Sequence, residues 1–144
     1  MTGAGSNGRV IQADGRSKAY RPIPVAERSA ALRAGIDAYD RGDFFLAHEL
    51  LEPAWMGTAD PVERAFLQGV IKLAAADVHG VRGNPKGVAR NLEGALDRLR
   101  TAAGAGPTTS GDVDVRALIA VVEHRLAEAR RGVISEPTHL PRSR

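Results

Sequence analysis

Six side chains in the middle of the sequence have types and spacings that could support chemistry. They lie in two stretches, HELLEPAW and QGVIKLAAADVH, and are His48, Glu49, Glu52, Trp55, Gln68 and His79. On a helix His48, Glu52 and Trp55 share one face, because residues three and four apart are neighbours. Imidazoles and carboxylates inside an apolar bundle are costly unless they bond to each other or to a ligand. We therefore predict that the five polar members converge where the second and third helices cross.

Three kinds of site are compatible with this cluster. It could be a structural polar network, which would also leave room for a small polar ligand. It could hold a metal ion through His48, Glu52 and His79, since His and carboxylate four residues apart can chelate, although the spacing matches neither the di-iron nor the zinc-protease pattern. It could also supply a general acid and base through Glu49 and His79, without a visible nucleophile or phosphate loop. The sequence leaves the cofactor open.

Other residues near the cluster have ordinary structural interpretations. Trp55 is either core packing or a stacking platform for a ligand. Pro53 falls inside the second helix, where it removes one intrahelical hydrogen bond and predicts a kink beside Glu49. His124 and His139 have no evident partners in the sequence, so we expect both at the surface.

Helix start and stop signals divide residues 23–132 into five segments. Proline or an Asp or Asn cap opens each one, and glycine or a small-residue stretch ends it. The predicted helices run from Pro24 to Gly42, Asp43 to Gly57, Asp60 to Gly83, Asn84 to Gly104, and Asp112 or Asp114 to Gly132. The third is apolar on nearly every side, which predicts a central position among the second, fourth and fifth helices.

The predicted architecture is all-α, a compact bundle of about five helices. No segment alternates with the period of a strand, so we expect none. Small and bulky residues recur at similar spacings in the first and third helices and their successors. Two degenerate helical hairpins could therefore have built the bundle, but the repeat is too irregular to predict a solenoid.

Composition and charge narrow the class of protein. The chain has 144 residues, no cysteine and a net charge of +3. It holds no signal-peptide core and no apolar run long enough to cross a membrane, and we expect a cytoplasmic protein. The basic excess lies at the two ends, whereas residues 23–129 are mildly acidic. We predict disordered tails at residues 1–21 and 133–144 that are dispensable for folding, flanking a helical domain at 22–132, and we consider nucleic-acid binding unlikely.

The two central stretches, extended to AYDRGDFFLAHELLEPAWMG and ERAFLQGVIKLAAADVHGVRGNPKGVARNL, resemble the family catalogued as domain of unknown function number 309. The resemblance covers about residues 35–100. Its motif positions are Gly42-Asp43-Phe44, His48-Glu49 with Glu52 and Trp55, Leu67-Gln68-Gly69 through His79, and Gly83-Asn84 with Gly87. Pro53 departs from the motif. The resemblance implies a compact helical bundle but no activity.

Three functional hypotheses follow from the sequence. The first is a small helical binding or scaffold module, which could be a homodimer, with a structural or ligand-binding polar cluster between helices two and three. The second is a metal-dependent or acid/base hydrolase-like enzyme that uses His48, Glu49, Glu52 and His79. The third is a nucleic-acid accessory protein that acts through its basic tails.

Overall fold

A computed structural model describes residues 8–11, 17–20, 22–105, 109–110 and 112–143. The fold is all-α, as predicted. Its helices are α1 (Val25–Asp40), α2 (Phe44–Met56), α3 (Pro61–Val81), α4 (Pro85–Ala105) and α5 (Val115–Arg130). The predicted ends agree with these bounds to within a few residues.

Side-chain caps explain where three of the helices begin. The carboxylates of Asp43, Asp60 and Asp114 accept hydrogen bonds from backbone N–H groups in the first turns of α2, α3 and α5. Those N–H groups have no partner inside their own helix, so the caps satisfy donors that would otherwise be lost. Gly42 and Gly83 have φ values of +83° and +70°, and each follows a helix end, where glycine adopts that conformation without strain.

The helices pack in chain order: α1 on α2, α2 on α3, α3 on α4 and α4 on α5, with α3 and α4 the most closely associated pair. We predicted that α5 also packs along α3. That prediction was wrong, because α5 packs mainly on α4, although one α5 side chain reaches α3. Glycines permit the closest contacts. A Cβ built on Gly35 would lie 2.5 Å from Cγ of Leu51, and one built on Gly69 would lie 2.8 Å from Cγ of Leu99.

Four short strands accompany the helices in the described residues. The sequence analysis predicted no strand. Strands β1 (Gly8–Ile11) and β2 (Ser17–Tyr20) pair antiparallel, with Gly8 opposite Tyr20, and β2 lies against α2. Strands β3 (Thr109–Ser110) and β4 (Val113–Asp114) form a second two-stranded pair. The prediction of disorder at residues 1–21 therefore does not match this hairpin; residues 1–7, 12–16 and 21 lie outside the described residues.

Residues 133–143, part of the segment 133–144 that we predicted to be a disordered tail, pack on the bundle in the structure. Leu140 is 3% exposed and belongs to the hydrophobic core. Its backbone N–H donates to Asp40 at 2.9 Å, and the backbone N–H of Asp114 donates to the carbonyl of Pro141 at 3.0 Å. Composition suggested a tail because the segment has no helical periodicity. One buried leucine and main-chain hydrogen bonds are enough to anchor an extended segment without that pattern.

Among the described residues, no helix combines the length and the apolar character needed to cross a membrane.

The α3–α4 contact generates a stability prediction. Gly69→Ala should lower the free energy of unfolding by about 1–3 kcal/mol, because the new methyl group overlaps Leu99, a fully buried side chain with little room to move. Gly104→Ala is the matched control, since its Cβ would meet nothing within 4 Å. Urea denaturation of both variants measures the difference. Equal stability of the two variants would contradict the close packing at Gly69.

Candidate functional site

The polar residues of α3 lie along the edge that faces α4. Oε1 of Gln68 accepts a hydrogen bond of 2.7 Å from Nε of Arg98, a residue of α4. A Cβ on Gly94 of α4 would lie 2.8 Å from Cδ of Lys72, so this lysine runs along α4 and is half-buried. The partner of Gln68 is therefore on α4, whereas the sequence predicted partners on α2.

His79 is held at the start of α4. The carbonyl oxygen of the Asn84 side chain accepts the backbone N–H of Gly87 at 3.1 Å, which turns the amide nitrogen of Asn84 toward His79. That nitrogen lies 3.2 Å from Nδ1 of His79, and it donates when Nδ1 is unprotonated. A Cβ on Gly87 would lie only 2.4 Å from Nδ1. A glycine at position 87 therefore makes the room that the imidazole occupies.

The polar residues of α2 are not joined to those of α3. His48 and Glu52 are half-buried and Glu49 is exposed. Within the described residues none of these three makes a hydrogen bond or an ion pair, and none is bonded to Gln68 or His79. No hydrogen bond among the described residues therefore joins the α2 members of the predicted cluster to its α3 members, and the convergence of the five side chains stays a prediction. The rotation of α3 turns Gln68, Lys72 and His79 toward α4.

Trp55 is a buried residue at the end of α2, in agreement with the core-packing interpretation. The guanidinium carbon of Arg64 lies 5.2 Å from the centre of the indole ring, and Nη1 of Arg64 donates to the Trp55 carbonyl at 3.1 Å. Burial lowers the pKa of Arg64. The pair closes the turn between α2 and α3, and α2 runs through Pro53 as one helix.

Metal binding by His48, Glu52 and His79 finds no support in the geometry. In the described part of the chain no group of three or more His, Asp or Glu side chains is arranged to hold an ion. His124 and His139 are exposed, as expected, and Nε2 of His124 lies 3.7 Å from a carboxylate oxygen of Glu128.

A buried polar triad that the sequence analysis missed joins α1, α3 and α5. Tyr39, Asp77 and Arg125 are 2%, 1% and 4% exposed. The hydroxyl of Tyr39 donates to Oδ2 of Asp77. The two terminal nitrogens of Arg125 donate to the two carboxylate oxygens of Asp77, with the Nη1 to Oδ2 distance at 3.4 Å. The triad is therefore a two-point ion pair completed by a phenol.

Electrostatics within the triad keep Tyr39 and Arg125 in their expected charge states. Burial, followed by the charge of Asp77, raises the pKa of Tyr39 well above its ordinary value, so the phenol stays protonated. Burial alone would lower the pKa of Arg125, but hydrogen bonds to Asp77 and the charge of Asp77 raise it overall. The aspartate thus neutralises a buried cation, which would otherwise be very costly.

Two features of the sequence could have revealed the triad. Asp77 interrupts the apolar run from Leu73 to Val78 on the helix predicted to be central, and Arg125 interrupts the stripe of Val122, Leu126 and Ala129. A buried acid and a buried base on different helices predict each other, because neither can be buried alone. Tyr39 gave no such signal, since an aromatic ring fits an apolar stripe.

Comparison with known proteins finds a family model that matches part of this chain. The contacts above define a small all-α protein built from successive helical hairpins with a buried ionic centre. The family model described as Domain of unknown function (DUF309) matches residues 32–91. The match confirms the resemblance noted in the sequence, and it includes Tyr39 and Asp77 but not Arg125. Among curated proteins, none matches this chain.

The burial of the triad predicts a large effect of removing its cation. Arg125→Met should lower the free energy of unfolding by about 3–5 kcal/mol, because the Asp77 carboxylate is then buried without a counter-charge. Arg130→Met is the matched control, since Arg130 makes an exposed ion pair of 2.9 Å with Glu93 and should change stability by less than about 1 kcal/mol. Chemical denaturation measures both. Replacing all three members, as Tyr39→Phe, Asp77→Leu and Arg125→Met, should recover much of the loss, and failure to recover any would contradict this account.

Tyr39 should make the protein sensitive to alkali. A folded-state pKa above the unfolded value means that the folded chain retains a proton that the unfolded chain releases, so stability falls as pH rises. The contribution is complete below the ordinary tyrosine pKa of 10.0 and is lost as pH rises from there through the folded-state pKa. The free energy of unfolding should decrease more steeply above pH 10 in the wild type than in Tyr39→Phe. Parallel curves for the two proteins would exclude a buried, protonated phenol.

Proposed function

We propose that this protein is a small helical binding module and that its binding surface is the outer face of α2. We define the α2 surface as Phe45, His48, Glu49 and Glu52. The observation that carries the proposal is that these three polar side chains have no intramolecular partner in the described residues, whereas Gln68 and His79 are engaged with α4 or the turn before it. Contacts within the bundle explain Gln68 and His79. They do not explain His48, Glu49 and Glu52.

The spacing of the α2 surface supports this interpretation. Residues 45, 48, 49 and 52 follow the i, i+3, i+4, i+7 pattern of one helical face. The Phe45 side chain is 63% exposed, and phenylalanine is a residue type that is usually buried. An aromatic ring thus lies next to two carboxylates and an imidazole on an accessible helix.

The ligand that fits this surface is a protein segment carrying lysine or arginine. Two carboxylates attract cations and repel phosphate, which argues against nucleic acid as the ligand of this surface. A cationic side chain can also stack on the exposed ring of Phe45. We therefore favour a basic, partly apolar peptide.

An enzymatic function has less support. Catalytic groups commonly have perturbed pKa values. The pKa shifts of Tyr39, Arg64 and Arg125 each arise in a buried packing contact and do not mark a catalytic group. A homodimer and a cytoplasmic location stay predictions from the sequence.

A titration tests the proposal. The probe is a synthetic amphipathic peptide with leucines and with arginines four residues apart, and the reporter is the fluorescence of Trp55, the sole tryptophan, which follows Glu52 by three residues. Glu49→Gln with Glu52→Gln should weaken binding by about tenfold or more, equivalent to about 1.4 kcal/mol. The matched control removes the same charge elsewhere, as Glu93→Gln with Glu123→Gln, because those carboxylates pair with Arg130 and Arg100.

Equal loss in the two variants would show only a general charge effect and would contradict a site on α2. Stoichiometric binding of Zn²⁺ that disappears in His48→Ala would overturn the proposal in favour of a metal centre.

A further inference from the structure

The C-terminal segment, residues 133–143, crosses the face on which α1, α3 and α5 meet. We call this segment the strap. It begins after Gly132, whose φ is +81°. A Cβ on Gly80 of α3 would lie 3.3 Å from Ile134, and the backbone N–H of Leu140 donates to Asp40 at the end of α1. The strap therefore runs from the end of α3 to the end of α1, directly beside the buried triad.

Three kinds of contact hold the far end of the strap. Leu140 is buried in the hydrophobic core. Nη2 of Arg142 lies 2.5 Å from the carboxylate of Asp40, which also accepts the Leu140 N–H. The main chain pairs antiparallel with the segment before α5, with Val113 opposite Arg142 and the Ser143 N–H donating to the Asp112 carbonyl at 2.7 Å. An apolar pocket, an acid and a strand edge together recognise an extended peptide.

The middle of the strap fits the bundle less well. Nε of Arg125 and Oγ of Ser135 are buried, and neither has a hydrogen-bond partner in the described residues. Unpaired buried donors oppose closure of the strap. Two depressions flank the strap where it carries Ser135 and Glu136: one of about 410 Å³ that reaches Phe44 and Asp77, and one of about 490 Å³ that reaches His124 and Arg125. The centre of the strap is thus bordered by open space.

We infer that the α1/α3/α5 face is a peptide-binding groove and that the strap occupies it as an intramolecular ligand. The partner that fits is an extended segment with an aliphatic residue two positions before a basic one, because Leu140 and Arg142 have that arrangement. Asp40 selects the basic residue, and residues 112–114 pair with the peptide main chain. This groove is separate from the α2 surface, so either proposal can fail without the other.

The tether makes the strap a strong competitor. A ligand joined to its site by a short linker acts at an effective concentration on the order of millimolar. A free peptide therefore binds the wild type weakly unless the strap is loosened. The strap-released variant is the full-length chain with Leu140→Asp and Arg142→Glu. These changes remove the buried leucine and reverse the charge opposite Asp40, and both positions lie outside the helices.

The test uses a fluorescein-labelled peptide with the strap sequence VISEPTHLPRS and measures anisotropy. Binding to the strap-released variant should be at least about tenfold tighter than to the wild type, in which the open state is a minor population. Adding Asp40→Asn to the released variant should weaken binding, as should the same Leu and Arg changes made in the peptide. Circular dichroism establishes that each variant retains its helices.

If the released variant does not fold, hydrogen exchange on the wild type tests whether the strap opens while the helices stay folded. The amides of Val133, Leu140 and Ser143, which are hydrogen-bonded in the structure, should exchange faster than those in the middle of α3. Exchange at the rate of α3 would overturn the inference, because the strap would then open only with global unfolding. No binding to a folded, released variant would also overturn it, as would a dimer that Arg142→Glu dissociates, which would assign the groove to the strap of a second copy.

Discussion

The buried ion pair between Asp77 and Arg125 is the interaction on which the rest of the structure depends. Helices that pack only on their sequence neighbours form an open array, in which the first, third and fifth are free to splay. The triad prevents this, because Asp77 of α3 and Arg125 of α5 must meet for the charge to be neutralised, and the Tyr39 hydroxyl joins α1 to them through its hydrogen bond to Asp77. We infer that this ion pair adds less to net stability than to the uniqueness of the fold, since any other arrangement of the helices would bury an unpaired charge. We interpret the triad as the device that fixes the curvature of the bundle.

The motif that this chain shares with the matching family model is largely architectural. Gly69 and Gly87 allow α3 and α4 to approach, and His79 occupies the space beside Gly87. Asn84 holds His79 and caps the start of α4 at the same time. These contacts account for the second half of the motif without reference to any ligand. Among the described residues, His48, Glu49 and Glu52 on α2 make no comparable hydrogen bond, which is why we propose a binding surface there.

The strap covers the face next to the triad. Without residues 133–143, Asp40 and the apolar site that Leu140 fills would be open to solvent, on the same face as the ion pair of Asp77 and Arg125. Covering them with the chain's own end protects the ion pair from water, which strengthens it. The same cover is built from contacts that an extended peptide can reproduce. Protection and recognition are therefore properties of one surface.

The sequence by itself determined the helices and the resemblance to the family model that matches residues 32–91. Caps such as Asp43, Asp60 and Asp114 act within one turn of the chain, and apolar periodicity records which face of each helix is buried, so both are readable from neighbouring residues. Tertiary structure decided which helices meet and how each is rotated. A rotation of α3 was enough to turn Gln68 toward α4, and no local pattern encodes that angle. The anchoring of Leu140 by Asp40, a hundred positions away, depends on the same long-range geometry.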